Sequence, residues 1–266
     1  MNSRTSSFLL AVLMSVVTLS FTLVSCGDDD DEIGGPSSSG GSAPKNVEAV
    51  DLGLPSGTLW ANMNVGATSP EDFGDYFAWG ETKGFKSGKS YFSWGTYKWC
   101  YGNYDVLTKY CGESDYGYNG FSDNKSELEI SDDAAYVNWG KKWRMPSIEQ
   151  CVELINETNT TMEWTTMNGV LGKKITSKKN GKYIFLPAGG CRYESLSYDV
   201  GEKGRYWSRT LSWDFPGYDC ESSAWELGIK AEDAWVTSYD LFDYQYYYQR
   251  YFRCGGKSIR PVQYSK

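Results

Sequence analysis

The chain has 266 residues, a formal net charge of −8 and no histidine. The acidic balance excludes nucleic-acid binding by bulk charge, which needs a clustered excess of Lys and Arg. The missing histidine removes the commonest general base and with it every His-ligated zinc, copper or non-haem iron site.

In chain order, Arg4 followed by the apolar stretch from Phe8 to Val24 reads as an export signal over residues 1–25. The stretch falls short of the roughly 20 apolar residues of a comfortable membrane span. Residues 26–45, "CGDDDDEIGGPSSSGGSAPK", are acidic and then Gly/Ser/Pro-rich. They offer almost nothing to bury, which predicts a disordered linker. Residues 46–266 contain no further linker-like break and form one expected domain with one sizeable core.

Within that domain "VEAVDLG" and "LWANMNVGA" read as strands around the turn "LPSG". Residues 73–123 are glycine-rich and aromatic with weak periodicity, which points to ordered functional loops or a surface insertion. Their "GFKSGKS" has three residues between its glycines where a phosphate loop needs four, and it reads as a surface loop. "SDDAAYVNW" predicts a short helix capped by Ser131 or Asp132. "RMPSIEQCVELINE" predicts a second, with Ser147 as cap, Gln150 completing a capping box, and Ile148, Cys151, Val152 and Ile155 on one face. "GKKITS" and "KYIFLPAGG" flank the hairpin signal Asn180-Gly181. "RYWSRT", "AWELGI", "AWVTSY", a tyrosine-rich stretch and "KSIRPVQ" complete the strands.

Six cysteines follow Cys26, and none form a C-x-x-C pair, so a zinc site is not expected. In an exported domain an even number can form disulfides. Cys100 and Cys111 are the first expected pair, with closure of so short a loop worth roughly 3 kcal/mol; six reduced thiols are the alternative. Cys151, on the apolar face of the second helix, is expected to be reduced in the core.

The run "YDLFDYQYYYQRYF", from Tyr239 to Phe252, is the most unusual stretch. Strand alternation places Phe242, Tyr244, Tyr246 and Tyr248 on one face and Asp243, Gln245 and Gln249 on the other, with Tyr247 and Tyr251. Such a run can be core, because aromatic residues favour strands. Each buried phenol, however, needs a hydrogen-bond partner. Tyrosine also supplies stiff amphipathic contact area with two torsions to freeze, which suits a binding surface. The expected ligand-binding residues are Tyr239, Phe242, Asp243, Tyr244, Tyr246, Tyr247 and Tyr248, with Trp213, Asp214, Phe215 and Tyr218 as a second wall. Asp214, Asp240 and Asp243 could form a glycosidase pair only at a fixed separation, which a sequence does not show; they read as solvated acids.

Several blocks carry a family resemblance. "LVSC" ending at Cys26 resembles the bacterial lipobox, which implies cleavage before Cys26 and its lipidation. The acidic run that follows resembles the surface-export signal of lipoproteins in the Bacteroides group. "EAVDLGLPSGTLWANMNVGA", "GDYFAWGET", "LTKYC", "SDDAAYVNWGKKWRMPSIEQCVELI", "NGKYIFLPAGG", "GRYWSRT" and "SIRPV" resemble the Fibrobacter succinogenes major paralogous domain family. The block from Ser131 to Gln150 is also similar to the formylglycine-generating-enzyme family. The resemblance implies an α+β, C-type-lectin-like fold: two helices, small twisted antiparallel sheets and long loops. It implies no catalysis. Only Cys254 stands where the oxidases carry a cysteine pair, and calcium-lectin motifs such as Glu-Pro-Asn are missing. The expected protein is therefore a non-enzymatic, lipid-anchored outer-membrane protein displayed at the cell surface. It needs no cofactor or metal and binds a glycan or a protein. The alternative is a structural subunit of the envelope or of an appendage.

Overall fold

The computed structural model describes residues 41–212, 222–237 and 252–264. Its architecture is α+β, with two short helices and small antiparallel sheets. Strands β1 (Ala49–Asp51) and β2 (Thr58–Ala61) pair across the expected turn, Ala49 opposite Ala61. Helix α1 (Ala134–Trp139) is capped by Asp133, whose carboxylate accepts from Tyr136 N at 3.0 Å. The predicted caps Ser131 and Asp132 lie instead in the preceding 3-10 turn. Asp133 wins because it also accepts from Met145 N and Arg144 Nε, which ties the helix start to the next loop.

Helix α2 (Ile148–Ile155) starts with the predicted capping box between Ser147 and Gln150. Its buried stripe is Gln150, Cys151 and Leu154, while Val152, expected inside, is 49% exposed. Gln150 tolerates burial because both ends of its amide are satisfied: Oε1 accepts from Ser147 N, and Nε2 donates to Thr58 Oγ1.

Strand β3 (Thr160–Met167), not read from the sequence, pairs along its length with β4 (Val170–Ser177). Strand β5 (Tyr183–Pro187) returns on β4 through the hairpin signal, with Gly181 at φ +73°. The turn is wider than a two-residue loop: Ser177 N donates to Lys182 O. After the small ribbon β6 (Cys191–Tyr193) and β7 (Leu196–Tyr198), strand β8 (Lys203–Leu211) pairs with β9 (Ala224–Lys230), and β9 pairs with β10 (Ala234–Thr237). The closing strand β11 (Val262–Tyr264) adds to β2, so the two ends of the domain share one sheet.

Between β2 and α1 the described chain contains no strand, only 3-10 turns and isolated bridges. Side chains order it. Trp79 Nε1 donates to Ser208 O and Trp207 Nε1 to Phe77 O, both at 2.9 Å, a reciprocal clasp between loop and β8. Tyr97 Oη donates to Trp79 O, and Trp99 Nε1 to Gly80 O. The buried carboxylate of Asp75 accepts from Tyr76 N and Lys86 N, and Asp123 accepts from Tyr110 N and Cys111 N. These bonds satisfy backbone donors that a sheet would otherwise pair.

The expected Cys100–Cys111 disulfide does not form, and both thiols are reduced. Cys111 Sγ donates to Glu113 O at 3.0 Å, and Cys100 Sγ turns to Trp94 O at 3.2 Å. The loop they bracket closes instead through backbone bonds, Tyr101 N to Val106 O and Thr108 N to Trp99 O. Cys151 lies reduced and buried in the core, and burial pushes its thiol pKa well up.

At the centre Arg205, Glu226 and Lys257 are sealed from solvent. Arg205 Nη1 contacts Glu226 Oε1 at 2.6 Å, Lys257 Nζ meets Glu226 Oε2, and Lys257 lies 3.5 Å over the Trp207 ring. Burial and the nearby Arg205 lower the Lys257 pKa, against the pull of Glu226. Glu226→Gln is expected to lower unfolding free energy by about 3–5 kcal/mol in urea titrations, because it removes the carboxylate that both buried cations contact. Replacing all three groups with Met should lower it less than that single change does.

Candidate functional site

The end of the β8–β9–β10 sheet is where the predicted site residues join the described fold. Leu211 ends β8, Ala224 begins β9 and Thr237 ends β10, and antiparallel pairing puts all three at the same end. Ser212 N donates to Ser223 O, Ser223 forms a bridge with Phe252, and Arg253 N donates to Ser222 O at 2.9 Å. The described residues that flank 213–221 and 238–251 therefore all lie at this one edge. The expected ligand contacts Trp213, Asp214, Phe215, Tyr218, Tyr239, Phe242, Asp243, Tyr244, Tyr246, Tyr247 and Tyr248 all lie outside the described residues, as does Cys26.

The described surface beside that edge is aromatic. The Phe252 ring lies 5.6 Å from Trp94, which meets Tyr97 edge-on at 5.4 Å and Tyr104 at 6.4 Å. Farther along the same loop Tyr101 stacks on Tyr118, with centroids 4.3 Å apart and planes 20° from parallel. Backbone pairing holds that stack in place: Tyr101 N donates to Val106 O and Tyr118 N to Leu107 O. Tyr101 is 67% exposed, Tyr118 40% and Tyr104 36%. An exposed stacked pair is unusual, since its faces would be better shielded from water by a third flat or apolar surface. Trp94 is buried, yet its Nε1 has no hydrogen-bond partner among the described residues.

Beneath the rings the floor is stiff. Tyr97 is sealed, and burial raises its pKa far above the phenol range. The Arg253 guanidinium sits 5.7 Å from the Tyr97 ring and 5.8 Å from Trp79, and its Nη1 donates to Tyr110 O at 2.7 Å. On the flank, Lys98 lies 3.9 Å and Lys109 4.7 Å over the Trp99 ring. Lys109 bonds to Asp132 at 2.5 Å and contacts Glu129; burial opposes its charge, but these two carboxylates raise its pKa overall.

Trp94, Tyr101, Tyr104 and Tyr118 escaped the sequence reading as individual residues. Their signal was present in the glycine-rich aromatic stretch 73–123, where "YGNYD" and "YGYNG" set rings among turn residues. Without a period, nothing in the sequence told exposed rings from buried ones. A separate groove of about 560 Å³ runs along α2, lined by Pro55, Ile148, Val152, Asn156 and Thr158. Among the described residues no group of three acidic or thiol side chains could hold a metal, and no helix is long and apolar enough to cross a membrane.

No family model matches the chain, and no curated protein or solved structure matches it significantly.

The exposed and buried rings should separate by mutation. Tyr101→Ala is expected to change unfolding free energy by less than about 0.5 kcal/mol. Trp94→Ala should lower it by about 3–5 kcal/mol in the same urea titration.

Proposed function

We propose that the chain is a lipid-anchored binding protein, displayed at the outer-membrane surface, that engages a glycan or protein ligand through an aromatic face without catalysis. One observation carries the reading. The solvent-exposed Tyr101–Tyr118 stack lies in the same loop as the Trp94–Phe252 contact. That contact borders the sheet edge at which Phe252, the last residue of the tyrosine-rich run, pairs with Ser223. Flat, stiff rings that already face water can receive the apolar face of a sugar or a peptide ridge with little loss of side-chain freedom.

The two helices, small antiparallel sheets and long ordered loop are compatible with a C-type-lectin-like fold, the arrangement implied by the resemblance to the Fibrobacter major paralogous domain family. The lipobox-like "LVSC" supports anchoring through Cys26, and several acyl chains hold a protein firmly on a bilayer. The acidic residues that follow support outward display.

A glycan array followed by titration of intrinsic Trp/Tyr fluorescence tests the ligand claim. Saturable quenching by one sugar class, or by a purified protein ligand, is the expected outcome. Tyr101→Ala and Tyr118→Ala should each weaken Kd about tenfold, equivalent to about 1.4 kcal/mol. A stoichiometric subunit that co-purifies in every preparation, with no response to any soluble ligand, would replace this reading with that of an envelope or appendage component. For the anchor, metabolic labelling with a fatty acid should mark the wild-type chain and be lost in Cys26→Ala.

A further inference from the structure

Cys100 is reduced and packs against the apolar cluster that holds Cys254. Its Sγ lies 3.2 Å from Trp94 O and 3.7 Å from Tyr97 O. The rings of those two residues are the ones that meet the segment bearing Cys254: Trp94 packs on Phe252 at 5.6 Å, and the Tyr97 ring lies 5.7 Å from the Arg253 guanidinium. Cys254 is wholly buried in one apolar cluster with Cys111, and the half-buried Cys100 packs against that cluster; the Cys111 thiol is turned to Glu113 O. Next to Cys254 in the chain is a buried cation. Arg253 is sealed from solvent, and its Nε and Nη2 have no hydrogen-bond partner among the described residues. Such a group favours a neighbouring thiolate.

We propose that Cys100 and Cys254 form a redox couple whose disulfide staples the aromatic loop to the segment re-entering the fold at Phe252. The half-buried Cys100 is the attacking sulfur. Its role follows from its exposure: burial raises its pKa overall, and the Gly102 N–H, Arg253 and the Asn103 N–H offset that only in part. Cys254 is held protonated by burial, with Cys100 as the next influence in the same direction, so it is the resolving thiol.

The oxidant is a low-molecular-weight or protein disulfide. Cys100 loses its proton and attacks one sulfur of that disulfide, giving a mixed disulfide and one released thiolate. Cys254 then loses its proton and attacks Cys100 Sγ, closing the intramolecular bond and releasing the second thiolate. Two protein thiols are oxidised and one disulfide is reduced to two thiols. The bond would join residues far apart in sequence and restrict the unfolded chain accordingly. It would also hold the Trp94–Phe252 floor together. The couple does not depend on the proposed ligand: it stands or falls on its own chemistry.

The test equilibrates the native full-length chain in glutathione buffers of increasing oxidised fraction. Thiols are then blocked with N-ethylmaleimide in denaturant, and the unreduced chain is digested and mapped by mass spectrometry. The expected result is a cross-linked peptide pair containing Cys100 and Cys254, with those two thiols alone losing alkylation together. Cys100→Ser and Cys254→Ser should each abolish the pair and leave the partner thiol alkylated. Linkage of Cys100 to Cys111 or Cys220 overturns the proposal. So does full alkylation of both thiols at the most oxidising ratio, or a Cys100–Cys254 link that appears only when oxidation is done in urea. The wild-type map decides the matter even if a serine variant fails to fold.

Discussion

Three cations on the last twelve described residues hold the rest of the fold in place. Arg253, Lys257 and Arg260 are all sealed from solvent, and each reaches a different part of the chain. Arg253 donates to Tyr110 O in the long loop, and Lys257 pairs with Glu226 on β9. Arg260 donates to Asn64 Oδ1, Ala61 O and Phe185 O, which joins β2 to β5. The backbone of the same segment forms bridges with Phe77, Arg192 and Tyr206. Guanidinium and ammonium groups suit this task because each offers several donors to carbonyls that no ladder pairs. Burying them is unfavourable unless those bonds are made, so the arrangement forms as a unit or not at all.

That constraint explains how a chain with so little regular structure can present an ordered surface. The loop from Phe73 to Asp123 has no α-helix or strand, only three-residue 3-10 turns and isolated bridges. It is fixed at intervals by Asp75, Asp123, the Trp79–Trp207 clasp and the Arg253–Tyr110 bond. Between those fixed points the loop can carry Tyr101, Tyr104 and Tyr118 outward without loss of order. Rings held rigidly in water, on a scaffold that spends its buried polar groups on anchoring, are the physical basis of the binding role proposed above. The same anchoring brings Phe252 onto Trp94, and with it Cys254 into the cluster on which Cys100 packs.

Local chemistry was readable from local sequence. The capping box at Ser147 and Gln150, the turn at Asn180-Gly181, the pairing across "LPSG" and the strands around Trp207 and Leu227 each depend on residues within a few positions of one another. The coarse α+β architecture follows from them. The misses have a common cause. Apolar pattern alone puts Val152 on the inner face of α2, whereas the fold buries Gln150, whose Nε2 donates to Thr58 on a distant strand. Closeness in sequence suggests a Cys100–Cys111 bond, whereas the fold turns the two sulfurs to the carbonyls of Trp94 and Glu113. Strand β3 went unread because "TTMEWTTM" lacks the apolar alternation that its partner β4 makes unnecessary.

By itself, then, the sequence determined where helices start, where hairpins turn, and that one acidic, histidine-free domain would have to bury many aromatic rings. Only the tertiary structure decided which rings are sealed and which face water, and which carbonyl each of the Cys100 and Cys111 thiols turns to. Caps and turns are set by steric and hydrogen-bonding preferences that act over three or four residues. Exposure depends on Arg253, Lys257 and Arg260 finding acceptors up to 199 positions away, and no local pattern encodes that distance.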